Sequence, residues 1–212
     1  MHRSVRLALP ALALLLAAPT LVAQDAPAAP PPVPGARDIN RITAGTYRTD
    51  PSHTLVGWKV SHFGFNDYFG QFGDVAGTLV LDPANPSRAT VDISVPVSGL
   101  STASSALTAH MQRADFFDMP NHPTARFVST AVEVTPDRVV IAGNLTIRGV
   151  TRPVILGTRF IGAGTNPYNR KDTIGFHATT TIRRSDFGMT YGVPLVGDDV
   201  ELTISAAFEK QG

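Results

Sequence analysis

No cysteine occurs among the 212 residues, which excludes a disulfide framework and any thiolate metal site. Charge of neither sign is in excess. The 18 Lys and Arg stand against 17 Asp and Glu, a balance that gives no footing for nucleic-acid binding, where a basic stripe is expected. His53, His62, His110, His122 and His177 fall in no HxH or HxxxH spacing, so metal-ligand logic is missing too and no metal is expected. The chain holds no G-x-S-x-G, no G-x-G-x-x-G and no Lys-containing phosphate loop. Paired carboxylates suited to acid–base work are not identifiable either. These absences remove most enzyme classes and leave no catalytic residue to nominate.

Long apolar runs are also missing, with one exception at the start. His2, Arg3 and Arg6 precede the apolar stretch Leu7–Ala18, and Thr20-Leu21-Val22-Ala23 ends on a small residue. That is the layout of a cleavable export signal, too short for the roughly 20 apolar residues of a membrane span. Cleavage near Ala23 leaves 16 basic and 17 acidic residues. The leader is of bacterial type, so the periplasm is the expected compartment. Residues 24–45 follow as a spacer, with Pro27, Pro30, Pro31, Pro32 and Pro34 among alanines. Such a composition cannot bury apolar surface and favours an extended, disordered linker.

What is present, from residue 46 onward, is alternation with a period of two. Eight stretches carry it: Thr54–His62, Phe69–Asp82, Ala89–Val97, Ala125–Val134, Val139–Ile147, Thr151–Ile161, Thr173–Arg183 and Asp199–Phe208. Thr135-Pro136-Asp137-Arg138 reads as a turn joining two of them. Gly70, Gly73 and Gly77 mark the second as bulged or sharply coiled. Eight amphipathic strands in about 165 residues close most simply into an all-β barrel, about the size that holds one small ligand. Ser101–Phe117 breaks the pattern. Ala103, Ala106, Leu107, His110, Met111, Ala114 and Phe117 recur at helical spacing, predicting an amphipathic helix between strands three and four. Ser98 and Ser101 are its candidate caps and Pro120 its stop. The helix lays its apolar stripe over an open barrel end.

Two segments mix charge with aromatics, Asp115-Phe116-Phe117-Asp118 and Arg184-Ser185-Asp186-Phe187-Gly188-Met189. One reading has the Phe residues anchoring loop ends while Asp and Arg cap backbone groups. The other places both segments at the rim of a cavity, orienting the polar head of a ligand.

Together with Asp50-Pro51-Ser52-His53 and Val56-x-Trp58-x-Val60-x-His62, these segments bring the chain close to a known family. The series continues through Gly70-x-Phe72, Gly77, Pro123-x-x-x-Phe127-x-Ser129 and Gly143-x-Leu145-Thr146-Ile147-x-Gly149-Val150-Thr151-x-Pro153-Val154. In this order, over residues 46–210, the chain resembles the YceI-like family of exported lipid-binding proteins. The resemblance implies a lipocalin-like, eight-stranded antiparallel up-and-down barrel. It also implies a long apolar pore for a polyisoprenoid or similar lipid, a homodimer, and no established catalytic residues. One departure stands out. Leu107-Thr108 occupies the positions where the family commonly has an Arg-Asp pair, so any head-group or gating role of that pair does not carry over.

The expected function is that of a periplasmic carrier or sequestering protein for a long apolar lipid, a polyprenyl phosphate or a quinone. No cofactor is expected beyond the bound lipid, and the partners are that lipid, a second copy and, transiently, a membrane surface. Val56, Trp58, Val60, Phe72, Phe127, Leu145, Ile147, Phe160, Phe176 and Ile182 are expected to face the lumen. Leu107, Met111, Phe116, Phe117 and Phe187 are expected at the mouth. His62, His110 and Arg184 are the polar candidates. The alternatives are a small enzyme acting on a lipid or isoprenoid through His and Asp at the barrel mouth, and a stress-response interaction module whose interior is filled by its own side chains. Strand faces of about ten residues span ~34 Å, a length suited to an extended chain.

Overall fold

The computed structural model describes residues 32–135 and 138–212. The expected leader and the first part of the spacer lie outside the described residues. From Val33 onward the chain forms one compact unit.

Eleven strand segments build it: β1 Gly45–Thr49, β2 Leu55–His62, β3 Asn66–Phe72, β4 Ala76–Leu81, β5 Thr90–Pro96, β6 Leu100–Thr102, β7 Thr124–Val134, β8 Val139–Ile147, β9 Val150–Thr165, β10 Asp172–Arg183 and β11 Val196–Lys210. Six of them join end to end as three broken staves. β1 and β2 both run along β11, β4 and β3 run along that pair, and β5 and β6 run along β4 and β3. With β7 to β11 this makes eight staves, every neighbour antiparallel, closed by β1 and β2 on β11. The result is the expected lipocalin-like up-and-down barrel.

Each break has a local cause. Between β1 and β2, Asp50 accepts the Ser52 N–H, while the Thr54 hydroxyl exchanges hydrogen bonds with Ala207 N and O. The detour therefore stays fastened to β11. β1 escapes a reading by alternation because only Tyr47 of its five residues is buried. Between β3 and β4, Gly73 and Gly99 cross so closely that a Cβ on Gly99 would strike the Gly73 backbone.

The spacer differs from its expected disorder where it is described. Ala36 and Ala163 exchange both backbone hydrogen bonds, at 3.0 and 2.9 Å, and Ile39–Arg41 forms a 3-10 turn capped by Asp38. The reason is β9, which runs past the end of β8 and leaves an edge that residues 34–36 cover.

The helix is shorter than its periodicity predicts. α1 spans Ser105–Met111, and Ser104 is its cap, accepting the Leu107 N–H. Ser101 instead lies in β6, paired with Gln71 of β3, and Ser98 sits in a 3-10 turn. Beyond Met111 the chain coils back, with Phe117 N–H donating to Met111 O and Asp118 at a φ of 49°. Phe116 and Phe117 reach the barrel from this coil.

The barrel interior has two unlike halves. At one end Tyr47, Leu79, Ala163, Ile174 and Phe208 pack into a solid cluster with Phe160 and Phe176 against it. At the other end Trp58, Phe72 and Leu100 on one side, and Ile147, Ile182, Phe187 and Met189 on the other, stand around an open space.

Candidate functional site

That space is a cavity of about 680 Å³. Inward residues of β2 supply one wall, because alternation puts Val56, Trp58, Val60 and His62 on the same side. Across the lumen stand Leu145 and Ile147 of β8 and Ile182 of β10, with Val200 and Leu202 of β11 beside β2. The Trp58 indole covers its cross-strand partner Gly70, where any Cβ would collide with it. A glycine under an aromatic ring lets the ring lie along the wall rather than fill the lumen. The indole N–H of Trp58 is buried with no hydrogen-bond partner among the described residues.

Leu107 and Met111 of α1, with Phe116 and Phe117 behind it, cover one side of the mouth. Phe117 meets Phe72 edge to face at 5.3 Å, and His110 meets Phe116 and Tyr191 edge to face as well. His110 Nε2 lies 3.2 Å from Asp115 Oδ2. The Leu107-Thr108 departure has a clear consequence. Leu107 adds an apolar wall, and the Thr108 hydroxyl accepts the Thr102 N–H, tying α1 to β6.

Arg184 is the charged group of the wall. Only 5% exposed, it donates to four backbone carbonyls: Nε to Gly197, Nη1 to Met189 and Tyr191, and Nη2 to Val196. Burial pushes its pKa below the usual guanidinium value, with nearby Asp198 acting the other way. The guanidinium thus pins the loop between β10 and β11 while presenting its charge at the cavity edge. Both readings of this segment meet in one residue: it caps backbone groups and it rims the cavity.

Fourteen of the eighteen nominated residues line the cavity: Val56, Trp58, Val60, Phe72, Leu107, Met111, Phe116, Phe117, Leu145, Ile147, Ile182, His62, His110 and Arg184. Four do not. Phe160 and Phe176 point inward but belong to the packed end, 6.0 Å apart between ring centroids. The Phe127 ring is spent covering Gly143, and Phe187, 2% exposed, is locked into the cluster behind the wall. The pore therefore does not run the length of the strands, as the span of their faces led one to expect. Aromatic packing closes its far half.

A family model described as the YceI-like domain matches residues 47–208. The chain belongs to the YceI-like family. Among curated relatives, the UPF0312 protein of Pectobacterium atrosepticum is 34% identical over 79% of this chain and 88% of its own length. Protein YceI of Salmonella paratyphi B is 34% identical over 76% and 85%. Three solved structures share the fold. BcnA of Burkholderia cenocepacia superposes with a TM-score of 0.67 at 21% identity, covering 75% of this chain and 98% of its own. The YceI protein of Campylobacter jejuni gives 0.63 at 24%, covering 72% and 90%. A polyisoprenoid binding domain from Saccharophagus degradans, implicated in plant cell wall breakdown, gives 0.57 at 12%, covering 78% and 98%.

Several residues that line this YceI-like cavity were not nominated from sequence. Val95, Val200 and Leu202 carried the signal, since they sit on the apolar side of alternating strands. Phe63, Tyr191 and Leu195 carried none. They come from loops, where no periodicity marks which side chains turn inward.

Proposed function

We propose that this protein binds a long apolar lipid of the polyisoprenoid class, a polyprenyl phosphate or a quinone, as a carrier or sequestering protein of the periplasm. One observation carries the reading: an apolar cavity of about 680 Å³ open at one barrel end and sealed by aromatic packing at the other. That volume lies in the roughly 300–1,000 Å³ range of sites that bury one ligand. Burying a few hundred Å² of chain there is worth several kcal/mol, at about 25 cal/mol per Å², before ordering costs. The Saccharophagus degradans neighbour, a polyisoprenoid binding domain, supports the same ligand class. The cationic leader supports export, and a homodimer is part of the proposal. Chain length beyond the cavity's capacity stays at the mouth, where His62, His110 and the Arg184 charge stand to meet a polar head.

Organic extraction of protein purified without detergent, followed by mass spectrometry, should recover such a lipid. Added polyprenyl compounds should shift the emission of Trp58, the chain's one tryptophan. Leu145→Trp, which fills the lumen, should lower the bound fraction about tenfold or more while the barrel still folds. Failure of the purified protein to hold any lipid, native or added, would sink the reading. The enzyme reading has the His110–Asp115 pair at the mouth in its favour. On the binding reading, a bound lipid incubated with the protein is recovered at unchanged mass; a His110-dependent mass change would transfer the function to catalysis.

A further inference from the structure

Large apolar side chains stand exposed where folding gives them no reason to. Phe65 is 89% exposed, Leu195 65%, Tyr191 54% and Phe63 47%. Single exposed apolar residues are ordinary, but a contiguous group is not. These belong to two loops joined to each other, because the Phe63 N–H donates to Leu195 O at 2.8 Å. Phe63, Tyr191 and Leu195 also line the cavity. Tyr191 is steadied by His110 and Phe116, with ring centroids at 5.3 and 5.5 Å.

The hairpin tip adds an independent sign. Its turn is closed by the Phe65 N–H donating to His62 O, with φ 54° at Phe63 and 70° at Gly64. Two successive positive φ values call for Asn, Asp or Gly at the first position. A phenylalanine there is an outlier that local folding disfavours. Residues 62–66 and 189–197 together contain no Asp, Glu, Lys or Arg. The rim formed by the two loops is thus apolar and uncharged.

We propose that Phe63, Phe65, Tyr191 and Leu195 form a membrane-docking collar that enters the interfacial layer of a bilayer and seats the cavity mouth against it. The proposal rests on the lipid-binding reading and names its partner surface. Continuity selects a bilayer as the occupant. Three of the four side chains that would be covered, Phe63, Tyr191 and Leu195, are also cavity wall, so the covering body must be continuous with an apolar void. A bilayer meets that condition and lets an isoprenoid chain pass into the barrel without crossing water. Tyr favours the membrane–water interface, and Phe and Leu bury into its apolar side. With no basic cluster in the collar, attachment is driven by apolar burial and is insensitive to salt.

Flotation of the purified protein with phosphatidylcholine vesicles tests this directly. The wild type should float, at low and high salt alike. Phe65→Ser combined with Leu195→Ser should cut the floating fraction at least about tenfold, with an unchanged circular dichroism spectrum. Phe65→Trp supplies a positive readout, since its emission should shift to the blue on vesicles and be quenched by brominated lipid. Phe65→Ser alone, which leaves every cavity-lining residue in place, should still bind a polyprenyl compound delivered from ethanol but take it up from vesicles more slowly. Two results overturn the collar: flotation unaffected by the double variant, or no wild-type flotation, in which case a dimer that the double variant abolishes would make a second copy the occupant. Loss of ethanol-delivered binding in the wild type would defeat the cavity reading instead, and flotation would still decide the collar.

Discussion

Asp198 fixes the cavity rim to the barrel wall. It accepts the Ser185 N–H at 2.8 Å and the Ser185 hydroxyl at 2.7 Å, and pairs with Arg183 at 3.0 Å. Burial pushes its carboxyl up, but the Ser185 and Arg183 bonds together outweigh that, and its pKa falls below the ordinary value. A pKa lowered by folding adds stability that is complete above the ordinary aspartate value of about 3.9 and fades as pH drops through the folded value. Asp198→Asn keeps the shape and removes the charge, so it should cost about 1–2 kcal/mol in urea denaturation at neutral pH. The gap between variant and wild type should close in acid, below the ordinary aspartate range. Arg184, next to Ser185, shows how much a sequence can reveal of one residue. Its place beside aromatic neighbours marked it as a rim candidate, but its carbonyl partners Met189 and Tyr191 come from a loop whose path no alternation encodes, and Val196 and Gly197 from the irregular start of β11.

At the scale of elements, α1 shows where periodicity stops being informative. The apolar spacing of residues 101–117 continues past Met111, yet the helix does not, because Phe117 is held by Phe72 and Phe116 by Tyr191 and His110. Tertiary contacts satisfy the same side chains that a longer helix would have aligned. The strands were legible for the opposite reason: a pleated strand with one dry face has a single workable register, and β2 obeys it with Trp58 buried and Leu55 exposed. At seven residues, α1 depends on its cap. Ser104→Ala should cost about 1 kcal/mol. Native-state hydrogen exchange of the amides of residues 107–111 should then speed up about fivefold.

For the molecule as a whole, alternation told which side chains turn inward but not how deep each one sits. Phe176 and Ile182 occupy the same face of β10, yet one belongs to the packed end and the other to the cavity wall. Depth depends on how eight staves converge, which no single strand records. The division has an energetic signature. Phe208→Ala empties a filled site and should cost about 3–5 kcal/mol, whereas Leu145→Ala borders existing space and should stay near the ~2 kcal/mol end of the range for such truncations. Thermal or urea unfolding of the two variants checks the contrast. The short bridge between Ala36 and Ala163 has its own consequence. It masks the one stretch of β9 that β8 leaves bare, so a protein shortened to begin at Gly45 would offer free amide and carbonyl groups to any strand it met. Trimmed preparations should then stick to one another edge to edge, even though every cavity residue is intact.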